Sequence, residues 1–149
     1  MTIEEAIKAT KPMDIHTKTI INLMYTSNFV VDKITEVLKE YDLSMQQYNV
    51  LRILRGQRGK PANLSTIQER MVNRMSNTTR LVDKLIAKKL VNRITCPTNR
   101  RKVEITITKN GLELLNTLEI IEGLNKQMLT DLSREEMETL NTLLDKLKQ

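Results

Sequence analysis

The sequence predicts a mostly α-helical chain that contains one small β-hairpin. Apolar residues recur at intervals of three and four along most of the 149 residues, which is the spacing of one helix face. Residues 91–108 instead hold two β-branched runs on either side of a turn, which is typical of a hairpin. Sequences of the form Ser/Thr-x-x-Glu/Gln mark where several of the helices begin.

Two helices are predicted within residues 1–43. The first is short: Thr2-Ile-Glu-Glu5 has the form of a capping box, and Pro12 ends the helix. The second runs from Ile15 to Tyr41, and its apolar face is wider than one packing partner needs. The residues of that face include Ile20, Met24, Phe29, Val30, Val31, Ile34, Val37 and Leu38.

Three helices and the hairpin are predicted within residues 44–109. Ser44-Met-Gln-Gln47 is a capping box that opens a helix ending at Gly56, and a loop follows it. Ser65-Thr-Ile-Gln68 caps a third, shorter helix. After a break at residues 72–74, a fourth helix runs to near Leu90. The hairpin then turns around its Pro-Thr-Asn segment.

Two further helices are predicted within residues 110–149. A second long helix follows Gly111 and carries apolar residues as far as Leu129. Ser133-Arg-Glu-Glu136 caps the last helix, which extends to Leu147. The length suits a single domain, so residues 1–149 are expected to form one domain with these three regions.

Net charge is concentrated in the middle region. Residues 1–43 carry a net charge of −2, residues 44–109 of +12 and residues 110–149 of −4. The modest total of +6 therefore conceals a strongly basic segment. Such a concentration indicates a polyanionic partner for the middle region, and a solvated cationic surface is the alternative.

The element order within residues 44–109 is that of a winged helix-turn-helix. In that motif the second helix of the pair enters the major groove with its N-terminal residues on base edges. Asn can bond adenine bidentately, Arg can do so with guanine, and Ser or Thr can bond a base or a phosphate. One of Ser76 and Asn77 is expected to cap the helix, and Thr78, Thr79 and Arg80 are expected to face outward.

The hairpin tip carries Arg100, Arg101 and Lys102 in a row, which adds no stability to an isolated hairpin. Beside a recognition helix, such a tip can lie along the DNA backbone or place an arginine in a narrow minor groove. The predicted DNA-binding residues are Ser65, Arg74, Ser76, Asn77, Thr78, Thr79, Arg80, Lys84, Arg100, Arg101 and Lys102.

Two runs resemble the MarR (multiple antibiotic resistance regulator) family of bacterial transcription factors. They are TTRLVDKLIAKKLVNRITCPTNRRKVEITITKNG, Thr78 to Gly111, and LSMQQYNVLRIL, Leu43 to Leu54. The resemblance implies a winged helix-turn-helix flanked by N- and C-terminal dimerisation helices. It also implies a cytoplasmic homodimer that binds a pseudo-palindromic operator in double-stranded DNA, as a repressor released by a small-molecule effector.

One position departs from the family pattern. The family's wing usually carries Asp-x-Arg, and Asn99 stands at the first position with Arg101 at the third. The salt bridge that would pin the arginine is lost, so the unbound wing is expected to be looser, while Arg101 keeps its DNA role. Arg80 and Asp83 fit the family's recognition helix and, three residues apart, are expected to form a weak pair.

The wide apolar faces of the terminal helices support a homodimer independently. In a monomer they would expose more apolar surface than the few hundred Å² usual for a soluble protein. A two-fold partner would cover them. The family's effector pocket lies between the dimer region and the winged helix. Candidate lining residues here are Met24, Tyr25, Phe29 and Tyr48, each of which is equally suited to a core position.

The sequence holds no recognisable catalytic or metal-binding constellation. His16 and Cys96 are the only histidine and cysteine and do not have ligand spacing, so no enzyme activity, metal or cofactor is expected. A lone cysteine fits a reducing cytosol, and Cys96 lies at the wing rather than in the first long helix, where some family members sense oxidants. No run approaches the roughly 20 apolar residues of a membrane span, and the N-terminus resembles no targeting peptide.

A function of another class remains open beside the DNA-binding regulator. The basic face could dock an acidic protein, which would make the chain a winged-helix interaction module without specific DNA binding. The polar start of the fourth helix favours DNA, because a protein dock more often presents aromatic or Leu anchors. Single-stranded nucleic acid calls for aromatic stacking platforms, which the wing and fourth helix lack.

Overall fold

The computed structural model describes the backbone of residues 1–149 and every side chain except that of Arg100. The chain divides into two compact units, Met1–Thr117 and Leu118–Gln149. It is mostly helical with a two-stranded antiparallel hairpin, which confirms the predicted fold class. None of the described helices combines the length and the apolar character that crossing a bilayer requires.

The elements follow the predicted order. The first unit contains α1 Ile3–Ala6, α2 Ile15–Lys39, α3 Met45–Gly56, α4 Leu64–Arg70, α5 Thr78–Ala87, β1 Val91–Cys96, β2 Asn99–Ile107 and α6 Lys109–Thr117. The second unit contains α7 Ile120–Met128 and α8 Arg134–Leu147.

Three of the four predicted capping boxes are confirmed. At Thr2, Ser44 and Ser133 the hydroxyl accepts from the N–H three residues on, and the Glu or Gln there accepts from the cap's own N–H. The fourth, at Ser65, is wrong. Asn63 caps α4, because its Oδ1 accepts from the Thr66 N–H at 2.8 Å and from the Ser65 hydroxyl at 2.8 Å.

Two helices end earlier than predicted. The short helix α1 ends at Ala6, well before Pro12. The helix α5 ends at Ala87 rather than near Leu90, because Lys89 adopts a left-handed conformation with φ of 61°. The N–H of Leu90 then donates to the carbonyl five residues earlier, at 3.0 Å, which closes a Schellman motif.

The predicted second long helix is interrupted. Helix α6 begins at Lys109, so Gly111 lies inside it, and residues 118–119 form a turn before α7. At this turn the N–H of Ile121 donates to the Leu118 carbonyl at 3.0 Å, a bond to the third preceding residue. Apolar periodicity continues in phase through the turn, which is why the pattern suggests one helix.

The core of the winged helix lies among α3, α4, α5 and the hairpin. Its fully buried side chains include Val50, Leu51, Leu54, Ile67, Val82, Leu85, Val91 and Ile105. Ile105 also exchanges two backbone hydrogen bonds with Ala62, of 2.8 and 2.9 Å. This bridge joins the segment before α4 to the hairpin, and the sequence pattern does not indicate it.

Candidate nucleic-acid interface

The N-terminus of α5 presents an exposed polar edge made of Asn77, Thr79 and Arg80. Asn77 is the N-cap, and its Oδ1 accepts from the Arg80 N–H at 3.1 Å, which confirms that one of the two candidates caps this helix. The cap bond uses the amide oxygen, so the Asn77 amide N–H₂ group still has two donors for an outside acceptor.

Two of the predicted base-reading side chains point inward. Thr78 is only 5% exposed, and its hydroxyl is hydrogen-bonded to Oε1 of Gln68. The expectation that Thr78 faces outward is wrong, because it lies four residues before the buried Val82 and so shares its helix face. Ser76 is 8% exposed and donates to the Asn73 carbonyl at 2.7 Å. Both hydroxyls therefore shape the turn before α5.

The turn between α4 and α5 is held by side chains that the sequence patterns do not single out. Gln68 spans it, donating through Nε2 to the Arg74 carbonyl at 3.1 Å while Oε1 binds Thr78. Asn49 of α3 accepts from the Val72 N–H at 2.9 Å. Because α4 is capped by Asn63, Gln68 is not engaged in a capping box and is free to form this bridge. The Arg74 side chain itself is exposed.

The other end of α5 is anchored to the start of α3. Lys88 Nζ donates to Oε1 of the buried Gln47 at 3.0 Å and also binds the backbone carbonyl of Asp42, whose carboxylate lies 3.5 Å away. Lys84, a predicted DNA contact one turn earlier, is exposed. With both ends anchored, α5 can hold its exposed side chains in a fixed orientation.

Asp83 pairs with the wing rather than with its own helix. Arg93 of β1 donates to Asp83 Oδ1 at 2.6 Å, so the predicted Arg80–Asp83 pair is wrong. The Arg93 guanidinium reaches the carboxylate from the neighbouring strand in hydrogen-bonding geometry. Among the side chains that the structure describes, Arg80 makes no ion pair. Its guanidinium is therefore available to a ligand.

The cations of the wing lie in a bulge of the hairpin. The strands pair regularly up to Thr95 with Val103, and the next pair is Cys96 with Asn99. Residues 100–102 therefore have no partner on β1, so the bulge separates the basic run from the ladder. Asn99 Oδ1 accepts from the Arg101 N–H at 3.1 Å, so Asn99 positions the backbone of Arg101 rather than its guanidinium. The predicted contact by Arg100 lies outside the described side chains.

A depression of about 370 Å³ joins the wing to the start of α4. Its lining includes three predicted DNA-binding residues, Ser65, Arg101 and Lys102. Cationic side chains opposite a helix N-terminus suit a phosphate group, because both attract negative charge. Residues far apart in sequence are thus brought to one surface.

The thiol of Cys96 lies at the base of this wing. A hydrogen bond with the Thr98 hydroxyl, 3.2 Å away, and the backbone N–H groups of Thr98 and Asn99 lower the pKa of the Cys96 thiol. Within the described residues, no three His, Cys, Asp or Glu side chains are grouped so as to hold a metal ion.

The candidate effector residues do not all meet. Tyr25 and Phe29 line a cavity of about 170 Å³ between α1 and α2. Met24 is exposed and is not among the lining residues, and Tyr48 lies on α3 with the Arg52 guanidinium 5.6 Å from its ring centre. Lys18 binds the Glu4 carboxylate at 2.6 Å, which ties α1 to α2 and lowers the pKa of Glu4.

A helix-turn-helix with an exposed polar start to its second helix, followed by a cationic wing, defines a winged-helix regulator of transcription. The MarR family profile matches residues 43–103. The chain is 30% identical to the MarR transcription factor of Planctomyces limnophilus, whose structure superposes with a TM-score of 0.70 over 91% of this chain and 98% of that one. The chain belongs to the MarR family of transcriptional regulators.

Other relatives have the same fold and class. The HTH-type transcriptional regulator PecS of Dickeya dadantii is 28% identical over 92% of this chain and 84% of its own length. The organohalide-sensing regulator RdhR, bound to 2,4-dichlorophenol, matches with a TM-score of 0.82 at 20% identity, covering 94% and 86% of the two chains. Staphylococcus aureus MepR, in complex with DNA, matches with a TM-score of 0.76 at 19% identity, covering 90% and 96%. These relatives are transcriptional regulators and not enzymes.

Proposed function

We propose that the protein is a homodimer that binds a pseudo-palindromic site in duplex DNA, represses transcription there, and is released by a small molecule. The observation that carries the DNA-binding proposal is the exposed edge of α5 beside a wing whose cations lie in a bulge. MepR, of the same fold, has been solved on DNA.

The exposed side chains divide into two roles. Asn77 and Arg80 suit base edges, because the free amide and the unpaired guanidinium present directional donors at the end of the helix that enters the groove. The remaining contacts suit phosphates or the minor groove and fix the register of the protein on DNA. They are Ser65, Arg74, Thr79, Lys84, Arg100, Arg101 and Lys102, while Ser76 and Thr78 support them from within.

Binding to duplex DNA is tested first by selecting sequences from a random duplex library and comparing a selected site with its scrambled version. We expect the selected site to be a pseudo-palindrome that is bound more tightly than the scrambled duplex by at least about a thousandfold. Equal affinity for both duplexes would contradict specific recognition. It would favour the alternative, in which the basic face docks an acidic protein.

The dimer proposal rests on apolar faces that the chain itself leaves open. Only Leu38 is buried among the 25 residues of α2, and no residue of α8 is buried. The exposed apolar side chains of these helices are Ile15, Ile20, Leu23, Met24, Tyr25, Phe29 and Val31 on α2, and Leu140, Leu143 and Leu147 on α8. We assign residues 1–43 and 110–149 to dimerisation and residues 44–109 to DNA.

We expect sedimentation at low micromolar concentration to give about twice the chain mass of 17.3 kDa. Leu143→Glu, on the apolar face of α8, should shift the mass toward the monomer because it places a charge in the interface. Thr142→Glu, which lies off that face on the same helix, is the matched control and should leave the dimer intact. A monomeric wild type would remove the two-half-site mechanism as well.

The release by a small molecule is supported by the bound state of RdhR, in which a chlorinated phenol occupies a protein of the same fold. The cavity at Tyr25 and Phe29 holds about 170 Å³, less than the roughly 300 Å³ at which ligand pockets usually begin. A partner subunit that covers the open face of α2 would enlarge and close this cavity. Effector binding is therefore expected in the dimer.

The wing is expected to act through charge. Arg101→Ala should weaken binding to the specific site and to a random duplex by similar factors, because a phosphate or groove-width contact reads little sequence. The slope of log affinity against log salt should become shallower by about one unit for each phosphate that the variant no longer neutralises, and both wings of a dimer carry the substitution. Lys146→Ala, in the acidic C-terminal region, is the control. An unchanged affinity and slope for Arg101→Ala would show that the wing does not touch DNA.

A further inference from the structure

Two apolar side chains project into solvent from the turn between α4 and α5. Val72 is 89% and Met75 is 92% exposed, and neither belongs to the apolar faces of α2 and α8. Full exposure of a large apolar side chain forgoes the free energy that its burial would contribute. Since the surrounding residues of the turn are polar, Met75 in particular stands out as a side chain without an apolar neighbour in sequence.

The turn that carries Met75 is ordered by side-chain hydrogen bonds. The Met75 N–H donates to Oδ1 of Asn73 at 2.9 Å, and the next residue, Ser76, is buried and bonded to the Asn73 carbonyl. The preceding Arg74 carbonyl accepts from Gln68. The backbone on both sides of Met75 is therefore fixed, and the outward direction of its side chain is a property of the fold.

The surroundings of Met75 select the kind of partner. Arg74 precedes it, and the α5 edge of Asn77 and Arg80 begins two residues after it. Exposed cations on both sides favour a polyanion over an apolar protein surface. In the major groove of duplex DNA the one apolar group on a base edge is the 5-methyl of thymine.

We propose that Met75 contacts the 5-methyl group of a thymine next to the base pairs that Asn77 and Arg80 read. The thioether side chain is flexible and polarizable, which suits close contact with a single methyl group. The contact adds a preference for thymine that hydrogen bonding alone would not create. This inference rests on the proposed DNA-binding function and deepens it by naming a specificity determinant outside α5.

The test replaces each thymine of the selected site in turn by deoxyuridine, which lacks only the methyl group. For the wild type, we expect one position per half-site at which this replacement weakens binding by about fourfold, the value of one buried methyl. For Met75→Ala, binding to the thymine site should be weaker and the same replacement should have no effect. Met75→Leu keeps an apolar side chain and should retain the sensitivity.

Val72→Ala is the matched control, because it removes an equally exposed apolar side chain from the same turn, farther from α5 in sequence. It should keep the wild-type response to deoxyuridine. If the wild type binds its site specifically but responds to no such replacement, or if Met75→Ala responds as the wild type does, the inference is overturned and the DNA-binding function stands. If selection yields no preferred sequence, the proposed function fails and this inference fails with it.

Discussion

Arg80→Lys is expected to weaken binding to the selected DNA site by about 1–3 kcal/mol, roughly 5- to 150-fold, while binding to a scrambled duplex changes little. The substitution keeps the positive charge and removes the planar fork that bonds guanine at two atoms. Arg80 suits this test because the ion partner predicted for it, Asp83, is bound to Arg93 instead. Replacing Arg80 therefore breaks no ion pair described within the protein.

The measurement is equilibrium binding of the wild type and Arg80→Lys to both duplexes over a range of salt concentrations. Asn77→Ala is a less direct test, because Asn77 also caps α5 and the loss of a cap costs about 1 kcal/mol of stability. Lys84→Arg, one turn further along α5, is the matched control and keeps its charge in the same way. If Arg80→Lys loses affinity equally for both duplexes, Arg80 contacts the backbone and does not read a base.

Gly111→Ala is expected to destabilise the fold by about 1–3 kcal/mol, the usual range for overpacking. A Cβ at this position would overlap the Leu90 carbonyl oxygen and lie 2.6 Å from Cγ1 of Ile107. The Leu90 carbonyl is held by the Thr108 N–H at 3.0 Å, so it cannot move away without breaking that bond. The first turn of α6 thus packs directly against the two ends of the hairpin.

Urea unfolding of Gly111→Ala and Gly123→Ala measures this effect with an internal comparison. Gly123 lies within α7 and a Cβ there would meet no heavy atom within 4 Å, so Gly123→Ala should be neutral or should stabilise by about 0.5–1 kcal/mol through helix propensity. A stabilised Gly111→Ala would mean that α6 can shift away from the hairpin at little cost.

Most of the fold could be predicted because its signals are local. A capping box is complete within four residues, and an apolar face repeats within two turns, so the caps at Thr2, Ser44 and Ser133 follow correctly from the sequence. The errors occur where two local solutions compete. Ser65 and Asn63 are both good caps, and only the path of the chain into α4 selects Asn63.

The candidate interface could be predicted by residue type, and its internal arrangement could not. The basic run of the wing and the polar start of α5 are visible in the sequence. That Thr78 turns inward to Gln68 depends on a residue ten positions earlier, and that Asp83 pairs with Arg93 depends on a strand ten positions later. No short pattern contains either contact.

The sequence by itself determined the class of fold, the order of the elements and the basic character of the middle region. These properties follow from periodicity and charge, which are written along the chain. The tertiary structure decided which polar side chains remain free for a ligand and that Gly111 must lack a side chain. The physical reason is that a hydrogen bond or a steric overlap depends on distances of a few ångströms between segments. The sequence does not state those distances.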